Sequence, residues 1–232
     1  MENFWQGIRF VVFDIDGTLY HQQKLRRIML RALLLNLVRT GGTGTLKLLR
    51  DYRRERERIA ESEIVNFETV LRHRIAARCN CSVKVVDAVV SEWIDTRPLP
   101  YLPRCAVAGV QDAFAKVRQS GRIIGVLSDY PAAAKLVSLE LKADHIAGAG
   151  DEGVQCMKPN PAGLEHLMEL AGVPADATLM VGDRAERDVE VARRAGTRWL
   201  LRTSKPSFEA NRFSTFLDPP FDVIPTLNAE VT

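Results

Sequence analysis

Short apolar segments that stop at a polar residue alternate with amphipathic segments through most of this chain. The apolar segments, which predict buried strands, lie at residues 9–14, 122–129, 176–183 and 197–204. The amphipathic segments, which predict helices, lie at residues 109–121, 131–143, 161–173 and 185–196. Strands that alternate with helices are typical of a parallel sheet covered by helices on both faces, so the pattern predicts an α/β fold.

The segment between the first two predicted strands has a different pattern. Residues 24–97 carry helical periodicity with no convincing strand, and the three prolines of RPLPYLP that follow favour a chain reversal or linker. We therefore expect an all-helical insert after the first strand. The expected boundaries are 21–100 for this cap and 1–20 together with 101–232 for the core.

The sequence TGGTGT at residues 40–45 lies between the first two helices of the insert. It matches neither the P-loop pattern nor the G-x-G-x-x-G fingerprint of dinucleotide-binding proteins, so we interpret it as a turn rather than a nucleotide site. We expect this turn and its flanks, Thr40 to Lys47, to reach the substrate.

Charge is distributed unevenly along the chain. Residues 21–104 hold 17 Lys and Arg against 9 Asp and Glu, whereas the remainder holds 15 against 20. The simpler interpretation is a solvated helical surface with weak ion pairs such as Arg53 with Glu57, four residues apart. A face for anionic lipid or nucleic acid is the alternative.

The N-terminus and the cysteines indicate the compartment. MENFWQGIRFVVF has no basic region followed by a cleavable apolar core, and no run approaches the about 18 apolar residues of a membrane span. Four scattered cysteines are too few for a disulfide scaffold. We expect a cytoplasmic protein without a transmembrane segment.

Polar side chains end three of the predicted strands. They are Asp14, Ser128 and Asp183, and Asp16 follows the first of them closely. Residues at the carboxyl ends of parallel strands converge even when they are far apart in the sequence. Gathered carboxylates repel one another unless a cation lies among them, and an all-oxygen cluster suits Mg²⁺. The sequence therefore predicts a magnesium site at this edge.

Four segments, taken in order, resemble the signatures of one family. FDIDGT at 13–18 resembles the first signature of the haloacid dehalogenase-like phosphohydrolases, and Ser128 after IIGVL resembles the second. Lys158 in MKPNPAGL is similar to the third, and residues 181–196 are similar to the fourth. The chain is identified as a member of this family, in the phosphoglycolate phosphatase-like group. The resemblance implies a three-layer, Rossmann-like parallel sheet with a helical cap inserted after the first strand.

The resemblance also implies catalytic and substrate-binding roles. Asp14 would attack phosphorus and form an aspartyl-phosphate, while Asp16 would protonate the leaving alcohol and then deprotonate the hydrolytic water. Thr18 and Ser128 would hydrogen-bond the phosphate, and Lys158 would neutralise charge on Asp14 and the transferring group.

The metal ligands follow from the same resemblance. Mg²⁺ would be held by the Asp14 carboxylate, the Asp16 backbone carbonyl and the Asp183 carboxylate. Asp188 would orient a water on the metal, although Glu186 remains an alternative for this position. Asp129, which follows the second-signature serine, is a further substrate-binding candidate whose role the pattern leaves open.

The family resemblance favours a Mg²⁺-dependent phosphatase acting on a small phosphorylated metabolite. A phosphomutase is an alternative, since the same aspartyl-phosphate can pass its phosphoryl group to a second hydroxyl. A dehalogenase is disfavoured because it would need neither Asp16 nor Asp183. A binding module that uses the basic helices on anionic lipid or nucleic acid is a third possibility.

Overall fold

The strands form one parallel sheet. A computed structural model describes residues 4–40, 43–62, 64–205, 209 and 211–227. The strands are β1 (Phe10–Phe13), β2 (Ile123–Ser128), β3 (His145–Gly148), β4 (Thr178–Gly182), β5 (Arg198–Arg202) and β6 (Arg212–Phe213), in the spatial order β3-β2-β1-β4-β5-β6. All five neighbouring pairs are parallel. The predicted α/β fold class is confirmed.

Side chains of β1 alternate between two hydrophobic layers. Val11 and Phe13 belong to the cluster on one face of the sheet, and Phe10 and Val12 belong to the cluster on the other. This alternation follows from the period of two in a strand, and all four residues are buried because helices cover both faces. Three layers result.

The core helices cover these two faces. They are α5 (Leu102–Cys105), α6 (Val110–Gln119), α7 (Ala133–Ser138), α8 (Ala162–Ala171) and α9 (Glu190–Ala195). Before α9, residues Ala185–Val189 form a π-helical turn directly after β4. Such turns are rare and often occur at functional sites.

Among the described residues, four α-helices lie between β1 and α5 along the chain. They are α1 (Gln22–Thr40), α2 (Gly44–Glu61), α3 (Phe67–Cys79) and α4 (Val83–Val90), and α4 continues as a π-helical segment at Ser91–Thr96. Helices α2 to α4 contribute Tyr52, Ile59, Phe67 and Leu71 to a second hydrophobic cluster, which also includes Ala149 and Met157 of the core. The described residues of this segment form helices and no strand, as predicted, whereas the boundaries at 21 and 100 stay a prediction.

The two chain segments that enter and leave these helices run side by side. The backbone N–H of His21 donates to the carbonyl of Cys105 at 2.8 Å, and the N–H of Val107 donates to Leu19 at 3.0 Å. This pairing brings the start of α1 close to the strand ends.

Among the helices that the structure describes, none is long and apolar enough to cross a bilayer.

The structure differs from the sequence predictions at the sheet edges. The helix predicted at 131–143 ends at Ser138, and the chain then forms β3, which the sequence analysis missed. Both β3 and the missed two-residue β6 are edge strands, and their side chains are only partly buried. They therefore lack the continuous apolar run that identified the central strands.

The TGGTGT turn is only partly described. Gly41 and Gly42 lie outside the described residues. Of the flanks expected to reach the substrate, residues 43–47 line neither of the two cavities beside the strand ends.

Candidate active site

Three carboxylates meet where the two central strands end. Asp14 follows β1 and Asp183 follows β4, and these strands are hydrogen-bonded neighbours with Phe13 opposite Val181. Asp188, in the π-helical turn after β4, completes the group. One oxygen from each of the three lies within 4.8 Å of the others. The predicted convergence of strand-end carboxylates is therefore present in the structure.

Lys158 bridges two members of this carboxylate group. Its Nζ lies 2.5 Å from Asp14 Oδ1 and 2.6 Å from Asp188 Oδ1, and all three side chains are buried. Burial alone would lower the pKa of Lys158, but the carboxylates of Asp14 and Asp188 hold that pKa well above its usual value. A charged lysine thus offsets part of the negative charge at the strand ends.

Asp14 makes contacts through both carboxylate oxygens. Oδ1 binds Lys158, while Oδ2 accepts a hydrogen bond of 2.9 Å from the hydroxyl of Thr18. Burial, opposed by the Lys158 ammonium, raises the pKa of Asp14 to about 6. Its carboxylate is therefore fixed in orientation at the end of the most central strand.

Asp188 is held by the backbone as well as by Lys158. Its Oδ2 accepts hydrogen bonds from the N–H groups of Asp183, at 3.1 Å, and Arg184, at 2.9 Å. Both oxygens of Asp188 are thus occupied by protein donors. Glu186, the alternative for the acidic position, instead pairs on the surface with Arg184.

Asp183 has an oxygen that needs a partner. Its Oδ1 is buried and has no hydrogen-bond partner among the described residues. Burial, together with the charges of Asp14 and Asp188, raises the pKa of Asp183 to about 8. An unpaired buried carboxylate oxygen beside two further carboxylates fits a bound divalent cation, which would supply the missing partner.

Gly17 makes room for Asp183. A Cβ at this position would lie 2.1 Å from Asp183 Oδ2, and the backbone φ of +109° also favours glycine. The carbonyl of Gly17 accepts a hydrogen bond of 2.5 Å from the guanidinium of Arg202 on β5. Arg202 was not among the predicted site residues, because its run of apolar neighbours indicated only a strand.

The Asp16 carboxylate lies apart from the three-carboxylate group. Both of its oxygens are 2.7 Å from Lys135 Nζ, and Oδ1 also accepts a hydrogen bond from the Tyr20 hydroxyl. Burial would raise the pKa of Asp16, but Lys135 and Tyr20 outweigh it and hold that pKa below its usual value. Sequence reasoning missed Lys135, which lies outside the signatures in an ordinary amphipathic segment.

The two residues at the end of β2 have different partners. Ser128 is fully buried, and its Oγ accepts a 3.2 Å hydrogen bond from the N–H of Tyr130. Asp129 Oδ1 accepts a 2.9 Å hydrogen bond from the backbone N–H of Lys158. This contact ties Asp129 to the loop that carries Lys158, while contact of Ser128 or Asp129 with substrate stays a prediction.

Helix α2 reaches the site through Glu57. Its Oε2 accepts a 2.9 Å hydrogen bond from Arg187, whose guanidinium also donates to the carbonyl of Lys158, and Arg184 pairs with Glu57 at 3.2 Å. The expected pairing of Glu57 with Arg53 is therefore wrong. The arginines that bind Glu57 lie 127 and 130 residues away in sequence, so helical spacing could not reveal them.

Two adjacent cavities open beside these groups. The first, of about 60 Å³, is bounded by the carboxylates Asp14, Asp183 and Asp188 together with Lys158. The second, of about 100 Å³, lies between α1, the segment 93–102 and α7. Its apolar walls come from Leu25, Met29, Trp93, Leu99 and Leu102.

The two cavities are contiguous. Asp16, Gln22, Arg26, Glu57 and Tyr130 line both of them. A ligand in the polar cavity can therefore extend past Asp16 into the apolar one. The site combines a buried carboxylate, a lysine at hydrogen-bonding distance and a second, more apolar cavity beside them.

Comparison with known proteins identifies the family of this chain. The family model of the haloacid dehalogenase-like hydrolases matches residues 8–196, and the chain belongs to this family of hydrolases. It is 28% identical to a glyceraldehyde 3-phosphate phosphatase of Methanopyrus kandleri over 82% of this chain and 81% of that protein. It is 25% identical to a phosphoglycolate phosphatase of Pseudomonas syringae pv. tomato, over 81% of this chain and 66% of that protein.

Solved structures show the same fold. The HAD-hydrolase YfnB from Bacillus subtilis, determined bound to magnesium, has a TM-score of 0.65 at 15% identity, covering 90% of this chain and 95% of that one. A 2-haloacid dehalogenase from Pseudomonas syringae pv. tomato has a TM-score of 0.61 at 19% identity, covering 90% and 94%. At these identities the likeness concerns the fold alone.

Proposed function

We propose that this protein is a Mg²⁺-dependent phosphatase that hydrolyses a small phosphomonoester through an aspartyl-phosphate at Asp14. The observation that carries the proposal is the buried Asp14 carboxylate, held by Lys158 and Thr18 beside the polar cavity. The relatives named as glyceraldehyde 3-phosphate and phosphoglycolate phosphatases support a phosphorylated metabolite as substrate.

In the first half-reaction, an Asp14 oxygen attacks phosphorus and the bond from phosphorus to the leaving oxygen breaks. Lys158 offsets the negative charge that two carboxylates and a phosphoryl group bring together. Thr18 fixes the rotation of the Asp14 carboxylate, so the nucleophile needs no reorientation. In the second half-reaction, water attacks the phosphorus of the aspartyl-phosphate, releases phosphate and restores Asp14.

Asp14 and Asp183, with the backbone carbonyl of Asp16, are the proposed ligands of Mg²⁺. The unpaired oxygen of Asp183 and the all-oxygen donor set support this assignment. When bound, Mg²⁺ supplies positive charge for the transferring phosphoryl group. Asp188 is proposed as a positioning residue, since its Oδ2 accepts from the backbone N–H groups of Asp183 and Arg184 and thereby holds the loop that carries the ligand Asp183.

Replacing Asp183 by Asn tests this metal assignment. We expect Mg²⁺ affinity to fall by at least about 10–100-fold, because a charged ligand is lost. The metal-free protein should keep its melting temperature or gain a few degrees, since a buried carboxylate near like charges disappears. Thermal melts at increasing Mg²⁺ measure both effects. Asp176→Asn, at an exposed position, is the matched control. If the melting temperature of Asp183→Asn responded to Mg²⁺ as that of the wild type does, the assignment would be contradicted.

Asp16 is the proposed acid and base. Its contact with Lys135 favours the ionised form, which is the form that accepts a proton from the hydrolytic water. In the first half-reaction Asp16 would enter protonated and give that proton to the leaving oxygen, whose alcohol occupies the apolar cavity beyond it. The carboxylate left behind would then accept a proton from the hydrolytic water in the second half-reaction.

Asp16→Asn should therefore lower turnover of an alkyl phosphate by about 10²–10⁴-fold, which is the usual contribution of general acid–base catalysis. The loss should be smaller for p-nitrophenyl phosphate, whose leaving group needs little protonation. The measurement is kcat for both substrates, with Asp95→Asn as a control because Asp95 lines the same apolar cavity. Equal losses for the two substrates would rule out the acid role.

A panel of phosphomonoesters tests the proposed function itself. Each alkyl phosphate in the panel is paired with a polyol phosphate of the same chain length. The pairs show whether the protein prefers an apolar leaving group, as the apolar cavity favours, or a polar one, as in the substrates for which the relatives are named. We expect Mg²⁺-dependent release of inorganic phosphate from at least one class, abolished by a chelator. Isomerised sugar phosphate without free phosphate would indicate a mutase, and no reaction with any member would contradict the proposal.

A further inference from the structure

Helix α1 is anchored at one end and uncovered at the other. In its first half, Leu25 and Met29 are buried in the main hydrophobic core. In its second half, none of residues 30–39 is buried, although most of them are apolar. By contrast, eight of the 18 residues of the neighbouring helix α2 are buried. Ala32 and Leu33 still pack against the core from the inner side of this half, so the uncovered apolar residues are those on its outer side.

The exposed side chains of α1 form two adjacent rows, because residues four apart lie above one another on a helix. Arg26 is followed along the first row by Leu30, Leu34 and Val38, whose exposed fractions are 50%, 48% and 84%. The second row consists of Arg27, Arg31, Leu35 and Arg39. Arg26 lines both cavities of the site, so we call the other seven residues of these two rows the α1 outer face.

The charge of α1 has one sign only. The helix contains Lys24, Arg26, Arg27, Arg31 and Arg39, and it contains no Asp or Glu. A second copy of the chain packed on this face through α1 would bring like charges together. A nucleic acid would complement the arginines but would leave the leucines and Val38 without a partner.

We propose that the α1 outer face binds the surface of an anionic lipid bilayer. The exposed leucines and valine of this face can enter the acyl boundary of a bilayer, while the arginines beside them can meet anionic headgroups. With a rise of 1.5 Å per residue, the row from Leu30 to Val38 extends about 12 Å, long enough to seat in the interface but not to span it. This inference does not depend on the catalytic proposal.

Sedimentation with phospholipid vesicles tests the inference on the full chain. Wild-type protein should sediment with phosphatidylcholine vesicles that contain phosphatidylserine, and should sediment poorly with phosphatidylcholine alone or at high salt. Leu34→Gln with Val38→Gln should weaken binding by about tenfold or more. Arg27→Gln with Arg31→Gln should weaken it by about 25-fold, from about fivefold for each arginine.

Matched controls separate the α1 outer face from general surface properties. Val137 and Leu217 are an equally exposed valine and leucine on other elements, so Val137→Gln with Leu217→Gln should bind vesicles like wild type. Lys84→Gln with Lys142→Gln removes the same net charge elsewhere and should also retain most binding. All variants should keep their circular dichroism spectra and their hydrolysis of p-nitrophenyl phosphate, since none of these residues is placed in catalysis.

Three results would overturn the inference. One is equal sedimentation with anionic and neutral vesicles, or none with either. The second is an α1 double variant that binds as wild type does. The third is a wild-type dimer, seen by light scattering, that Leu34→Gln with Val38→Gln disperses, because a second copy would then cover this face.

Discussion

Asp14→Asn should abolish turnover, with a loss of at least about 10⁴-fold, because an amide oxygen does not replace a carboxylate nucleophile. Folding should be retained, since Lys158 keeps Asp188 as its partner and Thr18 keeps an acceptor at position 14. Phosphate release by the purified variant measures the loss. Isothermal titration with inorganic phosphate and Mg²⁺ checks that the site still binds.

Two comparisons make the Asp14 result specific. Asp176→Asn introduces the same substitution at an exposed position and should leave activity unchanged. If Asp14→Asn retained most of the wild-type turnover, another group would be the nucleophile. If Asp14→Asn lost both phosphate binding and its cooperative thermal transition, the loss of turnover would result from unfolding. It would then not support Asp14 as the nucleophile.

Lys158→Met should affect stability as well as activity. Removing the cation leaves the buried carboxylates of Asp14 and Asp188 without their shared partner, and breaking a buried ion pair in this way costs about 3–5 kcal/mol. For a chain of this length each kcal/mol corresponds to about 2–4 °C, so a large drop in melting temperature is expected. Lys142→Met, at an exposed position, should change little.

A second variant distinguishes charge imbalance from lost packing. Lys158→Met with Asp188→Asn removes one of the two uncompensated carboxylates and should recover part of the stability, although activity stays low because the charge at Asp14 is still unneutralised. Chemical denaturation at fixed Mg²⁺ measures both variants. A double variant less stable than Lys158→Met alone would show that the carboxylates do not drive the destabilisation.

The central part of the fold could be predicted from local sequence because fully buried strands appear there as continuous runs of apolar residues. β1, β2 and β4 are covered on both faces, so they read as continuous apolar runs, and their polar terminators predicted where Asp14 and Asp183 lie. The edge strands β3 and β6 are half exposed and short, and nothing in their composition separates them from loops.

The site contains two ion pairs that sequence patterns do not predict. Lys135 meets Asp16 across 119 residues, and Glu57 of α2 meets Arg187 across 130. Lys135 and Glu57 both lie in amphipathic helices, where a charged side chain is ordinarily exposed to solvent. Only the packing of α7 and α2 against the strand ends brings these charges together, so tertiary structure was needed to find them.

The Glu57 contacts connect helix α2 to the loops at the strand ends. Arg187 donates both to Glu57 and to the carbonyl of Lys158, so the position of α2 is tied to that of Lys158. Arg184 adds a second contact to Glu57. Movement of α2 relative to the sheet would therefore break ion pairs at the site itself.

Chemical trapping of the intermediate tests the central claim most directly. Protein quenched during turnover is reduced with borohydride, which converts an aspartyl-phosphate to homoserine, and its peptides are analysed by mass spectrometry. If Asp14 is the nucleophile, homoserine should be found at position 14. It should depend on substrate and Mg²⁺ and should be missing from the Asp14→Asn variant. Homoserine at another aspartate, or active turnover with no modification at position 14, would contradict it.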